Sequence, residues 1–126
     1  MDKPAIPRSV SRMASFGHAL RGLRVLWGQP NARIHGVLAC AVTAMGWWLG
    51  ISAGEWAALV LAMGLVLGAE ALNTAVELAV DLAEPEWNAL ARDAKDVAAT
   101  GVLLCSVSAA LVGLLVLGPH LWARWM

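Results

Sequence analysis

Four residues that can bind a metal ion or accept a proton recur in the stretch GAEALNTAVELAVDL: Glu70, Asn73, Glu77 and Asp81. Their spacings of three, four and four residues place the four side chains on one face of a helix. The residues between them are mostly apolar, and a carboxylate at the centre of a lipid bilayer costs ~2.5–3.5 kcal/mol by insertion scales. We therefore expect this face to meet protein, water or a metal ion, where it can transfer protons or hold a divalent cation.

A second polar cluster follows in the stretch ARDAKDVAAT, which contains Asp93, Lys95 and Asp96. A lysine ammonium near a membrane surface can meet the anionic end of a nucleotide, and Glu77 can ligate Mg²⁺. With Glu70 as a deeper carboxylate, this set suits phosphoryl transfer, which depends mainly on positioning and on neutralising charge. The motif GxxxxGK[ST] does not occur in the sequence, which excludes a P-loop enzyme.

The composition is that of a membrane protein. Of the 126 residues, 60% are hydrophobic and only 14% are charged, and the formal net charge is zero. A soluble domain of this size could not bury so much apolar surface, and a neutral chain lacks the bulk charge that attracts nucleic acid. Cys40 and Cys105 lie in apolar runs without metal-ligand spacing, so they are interpreted as small hydrophobic residues.

The hydropathy pattern predicts an all-α integral membrane protein with one domain over 1–126, made of an amphipathic surface helix at 8–28 and three transmembrane helices at 32–49, 56–82 and 93–117. The 56–82 helix would be about 40 Å long, which exceeds a ~30 Å hydrocarbon core, so its last turns are expected to emerge from the membrane. Gly118-Pro119 is expected to end the last helix.

The distribution of basic residues predicts the orientation in the membrane. Five Lys and Arg residues precede the first predicted span and a sixth, Arg33, lies at its entry, whereas the turn at 50–54 has none. Basic residues favour the cytoplasmic side, which places the amino terminus and the 83–96 connection in the cytoplasm. The polar first residues, MDKPAIPRSVSRM, predict no cleaved signal peptide, so the first span is expected to direct insertion itself.

The stretch EALNTAVELAVDLAEPEWNALARDAKDVAATGVLL resembles the signature of the prokaryotic diacylglycerol kinase and undecaprenol kinase family. The pattern E-x-x-N-[ST]-A-x-E-x-x-x-D, followed fourteen residues later by K-D, is highly specific. The likeness extends to the amino-terminal segment FGHALRGL…NARIH, to the three predicted spans and to the chain length. The resemblance implies a homotrimer in the bacterial cell (inner) membrane, with active sites at subunit interfaces near the cytoplasm. It implies ATP- and Mg²⁺-dependent phosphorylation of a membrane lipid alcohol, with diacylglycerol converted to phosphatidic acid, or alternatively undecaprenol to its phosphate.

The resemblance also implies roles for individual residues. Glu70 matches the general base that removes the proton of the lipid hydroxyl, and Glu77 matches a ligand of the divalent metal. The residues that match the nucleotide-binding positions are Asn73, Glu77, Asp81, Glu86, Lys95 and Asp96.

This sequence departs from the family pattern at two places. Gln29 stands where a second metal-binding Glu is usual, and an amide oxygen can ligate Mg²⁺ but brings no charge. Trp87-Asn88 stands where some members have Tyr-His, so stacking on a base could persist without the histidine contacts.

Three other interpretations remain open at this stage. The polar face could join helices by hydrogen bonds, although Asn or Thr would do so at lower cost than three acids. A small proton-coupled transporter also uses an intramembrane Glu, but it does not need the Lys95-Asp96 cluster. Gln29 could mark a non-catalytic membrane subunit. His18 and His35 are interpreted as interfacial residues.

Overall fold

The computed structural model describes residues 11–126, which form four α-helices and no strand: α1 Arg12–Trp27, α2 Pro30–Leu49, α3 Ala53–Ala83 and α4 Ala89–Trp125. Helices α3 and α4 form an antiparallel hairpin with the most extensive contact, and α2 packs against both. The first residues of the predicted 8–28 surface helix, together with Lys3 and Arg8, lie outside the described residues.

The turn between α2 and α3 is built from local capping interactions. Gly50 ends α2 in a left-handed conformation with φ 67°, which favours glycine because it has no Cβ. Ser52 then caps α3: its Oγ accepts from Glu55 N at 3.3 Å, and Glu55 Oε2 accepts from Ser52 N at 2.7 Å. This capping box starts α3 at Ala53, three residues earlier than the predicted span at 56–82.

The buried face of α3 changes from apolar to polar along its length. Leu59, Ala62 and Val66 are buried at spacings of three and four residues, and the next positions on the same face are Glu70 and Asn73. Leu59 belongs to a small apolar core with Ile51 and Leu117, near the end of α3 that follows the capping box. The same helix face therefore packs the molecule at one end and presents functional groups further along.

Helix α4 does not end at Gly118-Pro119, so that prediction is wrong. The helix continues to Trp125 with Pro119 in its interior, although proline removes one backbone hydrogen bond. Tertiary contacts hold the turns beyond it, because His120 Nε2 lies 2.8 Å from Glu55 Oε1 and the Arg124 guanidinium lies 4.5 Å from the Trp48 ring centroid. Sequence signals for helix ends are local and do not include such contacts.

Two of the described helices, α3 and α4, are long and apolar enough to cross a membrane by length and composition. Helix α2 has 20 residues, but Asn31, Arg33 and His35 in its first turns and the tryptophans near its end lower its mean hydropathy. Only 6% of the apolar window of α4 is buried within the chain. So much exposed apolar helix surface is suited to lipid or to other protein chains and not to water.

The junction between α1 and α2 is a close contact that orients α2. The Trp27 ring lies against Gly36, where an added Cβ would stand 2.6 Å from a ring carbon. Arg33 Nε donates to the Trp27 carbonyl oxygen at 2.8 Å. These contacts place the first half of α2, which carries His35, next to the polar face of α3.

Candidate active site

An open cleft lies between α2, α3 and α4, with a volume of about 360 Å³, and it is lined by Asn31, Ile34, His35, Glu70, Asn73, Ala99, Val102, Leu103 and Ser106. Each of the three helices contributes polar groups or an apolar wall. The cleft therefore combines a mostly apolar lining with a few convergent polar atoms, as binding sites for small ligands commonly do.

Glu70 is the most deeply buried polar residue of the cleft. Only 2% of the residue is exposed, and its Oε1 atom has no hydrogen-bond partner among the described residues. His35 Nε2 is its nearest ionisable neighbour, at 3.4 Å from Oε1. A buried carboxylate oxygen without a donor is costly to the fold and is available to accept a proton from a bound molecule.

Asn73 and Glu77 lie one turn apart on α3 and are joined directly. Asn73 Nδ2 donates to Glu77 Oε1 at 3.0 Å, which orients the carboxylate of the half-buried Glu77. The other polar atom of Asn73, Oδ1, is buried and has no partner within residues 11–126. An orphaned amide oxygen beside a carboxylate fits a hard cation such as Mg²⁺, which takes oxygen ligands.

The structure does not assemble a complete protein cage for a metal ion. Among the described residues no three His, Cys, Asp or Glu side chains group together in a way that could hold one. Gln29 lies half-buried at the start of α2 and makes no side-chain capping hydrogen bond. Glu77 and Asn73 could therefore supply only part of a coordination shell, which is the usual situation for Mg²⁺ bound together with phosphate oxygens.

Asp81 and Lys95 form a salt bridge between the end of α3 and the start of α4. The residues were predicted in two separate clusters, and the hairpin brings those clusters together. Asp81 is exposed and Lys95 is half-buried, so both remain accessible from the end of the helices that was predicted to be cytoplasmic.

Two predicted nucleotide-binding residues stand apart from these contacts. Glu86 is exposed in the connection between α3 and α4, and Asp96 is exposed in the second turn of α4. In the same connection Asn88 caps α4, where its Oδ1 accepts from Leu90 N at 2.8 Å. Asn88 was not expected to have this role, although an asparagine immediately before an apolar helix is a recognisable capping signal.

Three polar residues of the cleft, Asn31, His35 and Ser106, were not expected in the site. His35 was interpreted as interfacial, yet it faces Glu70. Ser106 lies within the apolar run VLLCSVSAALV, where no local pattern distinguishes it from the nearby Ser108.

Long apolar helices surround the buried carboxylate of Glu70 and the amide of Asn73, and the Asp81–Lys95 ion pair lies at the exposed end of the hairpin. The described residues therefore form an all-helical membrane protein with a polar site among its helices. Comparison with known proteins gives the particular family. The family model for prokaryotic diacylglycerol kinase matches residues 17–117. The chain belongs to the prokaryotic diacylglycerol kinase family.

Individual relatives agree with this assignment. The chain is 38% identical over 108 residues to the undecaprenol kinase of Bacillus subtilis (strain 168), covering 85% of this chain and 88% of that protein. It is 30% identical over 105 residues to the diacylglycerol kinase of Escherichia coli (strain K12), covering 82% and 86%. It is 39% identical over 111 residues to the diacylglycerol kinase of Synechocystis, covering 86% of this chain but 63% of that protein. The relatives are thus named for two different lipid acceptors.

Proposed function

We propose that the protein transfers the γ-phosphoryl group of ATP to the primary hydroxyl of a membrane lipid, with diacylglycerol as the acceptor and phosphatidic acid as the product. The observation that carries this proposal is the buried Oε1 of Glu70, which has no hydrogen-bond partner within residues 11–126 and lies in a cleft between three apolar helices. A lipid can reach such a cleft from the bilayer, and its hydroxyl group would supply the hydrogen bond that the carboxylate lacks. The family assignment supports the same reaction.

In the proposed reaction Glu70 acts as the general base. Its Oε1 accepts the proton of the lipid hydroxyl while the hydroxyl oxygen forms a bond to the γ-phosphorus of ATP. The bond between the γ-phosphorus and the β–γ bridging oxygen breaks, and ADP leaves with the electron pair. Ile34, Val102 and Leu103 give the cleft apolar walls, and a lipid bound against them would displace water, which would otherwise compete as an acceptor of the phosphoryl group.

The polar groups nearer the predicted cytoplasmic end would hold the nucleotide. Glu77 and Asn73 offer oxygen atoms to Mg²⁺, and Gln29 is a third candidate ligand without charge. When bound, Mg²⁺ neutralises charge on the β- and γ-phosphates. Lys95 would contact a phosphate in exchange for, or in addition to, its salt bridge with Asp81.

Asp96 and Glu86 complete the proposed nucleotide-binding set, with Asp96 near the phosphates and Glu86 beside the nucleoside. Both are exposed at the same end of the α3–α4 hairpin as Lys95, which is where a water-soluble nucleotide would approach. Their assignment rests on the family signature, since neither contacts Glu70 or Glu77.

The proposed setting is the inner membrane of a bacterial cell, with residues 1–126 as one domain and the amino terminus in the cytoplasm. Three spans at 32–49, 56–82 and 93–117 and a surface helix at 8–28 would place Glu70 within the bilayer and Lys95 at its cytoplasmic surface. The exposed apolar faces of α3 and α4 support membrane insertion, and they leave room for the homotrimer that the family resemblance implies.

Undecaprenol is the alternative acceptor, because one of the relatives with high coverage is named undecaprenol kinase. The more distant alternatives are a non-catalytic membrane subunit and a small proton-coupled transporter. Neither accounts for the polar set at the hairpin end near Lys95.

The test is a direct assay of the purified protein in mixed micelles with Mg-ATP and either diacylglycerol or undecaprenol. We expect transfer of radioactive phosphate from γ-labelled ATP to diacylglycerol, with a slower reaction on undecaprenol. A faster reaction on undecaprenol would replace the proposed acceptor. No labelled product from any lipid alcohol would exclude the kinase function.

A further inference from the structure

Ser106 on α4 lines the same cleft as Glu70 and has no part in the mechanism described above. Its Oγ atom is buried and has no hydrogen-bond partner within the described part of the chain. A serine hydroxyl can donate one hydrogen bond and accept two, and a buried polar group without a partner destabilises the fold. The Ser106 hydroxyl is therefore free to form a hydrogen bond with a molecule bound in the cleft.

Two other hydroxyl groups in these helices bond to a carbonyl oxygen of their own helix. Thr43 Oγ1 donates to the Ala39 carbonyl oxygen at 2.8 Å, and Thr100 Oγ1 donates to the Asp96 carbonyl oxygen at 2.9 Å. This bond to the residue four positions earlier is the ordinary solution for a hydroxyl in an apolar helix. Ser106 does not use it, so its O–H is available to a molecule in the cleft.

The register of the hairpin places Ser106 level with Glu70. The salt bridge joins Asp81 on α3 to Lys95 on α4. Glu70 precedes Asp81 by eleven residues and Ser106 follows Lys95 by eleven, so both lie about 16 Å further along the antiparallel helices. The contact between His120 and Glu55 at the far end keeps nearly the same register.

We propose that Ser106 donates a hydrogen bond to an ester carbonyl oxygen of a glycerolipid whose primary hydroxyl lies against Glu70. Ser106 is then a specificity-determining residue that favours diacylglycerol over a polyprenol. This inference rests on the proposed lipid kinase function and names the substrate class that the cleft recognises.

Diacylglycerol and a polyprenol differ in the number of oxygen atoms near the reacting hydroxyl group. In a 1,2-diacylglycerol the carbon next to the reacting CH₂OH carries an ester, whose carbonyl oxygen accepts hydrogen bonds. A polyprenol has a single oxygen atom, which the reaction already uses at Glu70, and it would leave Ser106 without a partner. Val102 and Leu103 lie within one turn of Ser106 on α4 and provide an apolar wall for the lipid chains.

The test compares a 1,2-diacylglycerol with the 1,2-dialkylglycerol of equal chain length, which has the same hydroxyl group but no carbonyl. In mixed micelles with Mg-ATP, we expect the wild-type protein to prefer the ester in kcat/KM by about 3- to 10-fold, the value of one neutral hydrogen bond. Ser106→Ala should lower kcat/KM for the ester to that for the ether and leave the ether unchanged. Ser106→Thr, which keeps the hydroxyl, should retain a preference for the ester.

Ser108→Ala provides the matched control, because Ser108 is exposed and does not line the cleft. It should change neither rate.

Equal rates of the wild-type protein on ester and ether would overturn the proposal, and this comparison needs no variant to fold. An equal loss on both lipids in Ser106→Ala, as expected for a packing contact, would overturn it as well, and so would a wild-type preference for undecaprenol. These outcomes differ from a failure of the proposed kinase function, in which no lipid alcohol would be phosphorylated.

Discussion

His35 Nε2 on α2 lies 3.4 Å from Glu70 Oε1 on α3, and the two side chains are 20% and 3% exposed. The contact does not count as a hydrogen bond, and Oε1 has no hydrogen-bond partner among the described residues. The imidazole nevertheless lies beside the buried carboxylate and lines the same cleft. Helix α2 thus contributes to the environment of a residue that the sequence assigns to α3 alone.

Removing this neighbour should impair catalysis. We expect His35→Ala to lower kcat by about 10-fold, because Glu70 loses a polar neighbour and the cleft admits water. This loss is smaller than the decrease in rate of about 10²–10⁴-fold that follows from removing a general base altogether. His35→Gln should keep most of the activity, since its amide can occupy a similar position. The exposed His18→Gln on α1 is the control, and an unchanged kcat in His35→Ala would contradict a role for His35.

Glu70→Gln should separate activity from stability. The neutral amide cannot accept the hydroxyl proton, so we expect kcat to fall by about 10²–10⁴-fold. Because the substitution also removes a buried carboxylate with an unpartnered oxygen, the Tm in detergent should stay the same or rise.

The control for Glu70→Gln is Glu84→Gln, which makes the same chemical change at an exposed position. It should alter neither kcat nor Tm. Activity of Glu70→Gln close to that of the wild-type protein would show that another group accepts the proton.

Gln29→Glu should strengthen the binding of Mg²⁺. Glu77 and Asn73 offer oxygen atoms but only one negative charge, and a carboxylate at position 29 would add a second. We expect the Mg²⁺ concentration for half-maximal activity to fall by about 3- to 10-fold. Gln29→Asn, which adds no charge, serves as the comparison, and an unchanged Mg²⁺ requirement in Gln29→Glu would place residue 29 outside the metal site.

Lys95→Met should affect the nucleotide far more than the fold. The Asp81–Lys95 salt bridge is partly exposed, with side-chain exposures of 63% and 36%, and such pairs contribute about 0–1 kcal/mol to stability. We therefore expect a small change in Tm but at least a 10-fold loss in kcat/KM for ATP. Asp81→Asn breaks the same salt bridge and leaves the ammonium in place, so it should retain more activity than Lys95→Met. Equal losses of activity in the two variants, accompanied by equal decreases in Tm, would indicate that the pair acts in folding and not in nucleotide binding.

Much of the architecture could be predicted from local patterns. Apolar periodicity and turn residues identified four helices in the correct order, and the turn predicted at 50–54 is found at residues 50–52. The capping boundaries at Ser52 and Asn88 were missed although their signals are local. The extension of α4 past Pro119 could not be predicted in this way, because it depends on contacts with Glu55 and Trp48.

The sequence by itself determined which residues share a face of α3, since the spacing of Glu70, Asn73, Glu77 and Asp81 needs only the period of a helix. It also pointed to Lys95 and to the family. Only the tertiary structure decided that Lys95 meets Asp81, that His35 lies beside Glu70, and that Ser106 stands level with Glu70 with its hydroxyl unused. The reason is that helix periodicity is a property of neighbouring residues, whereas register between helices is set by side chains far apart in the chain.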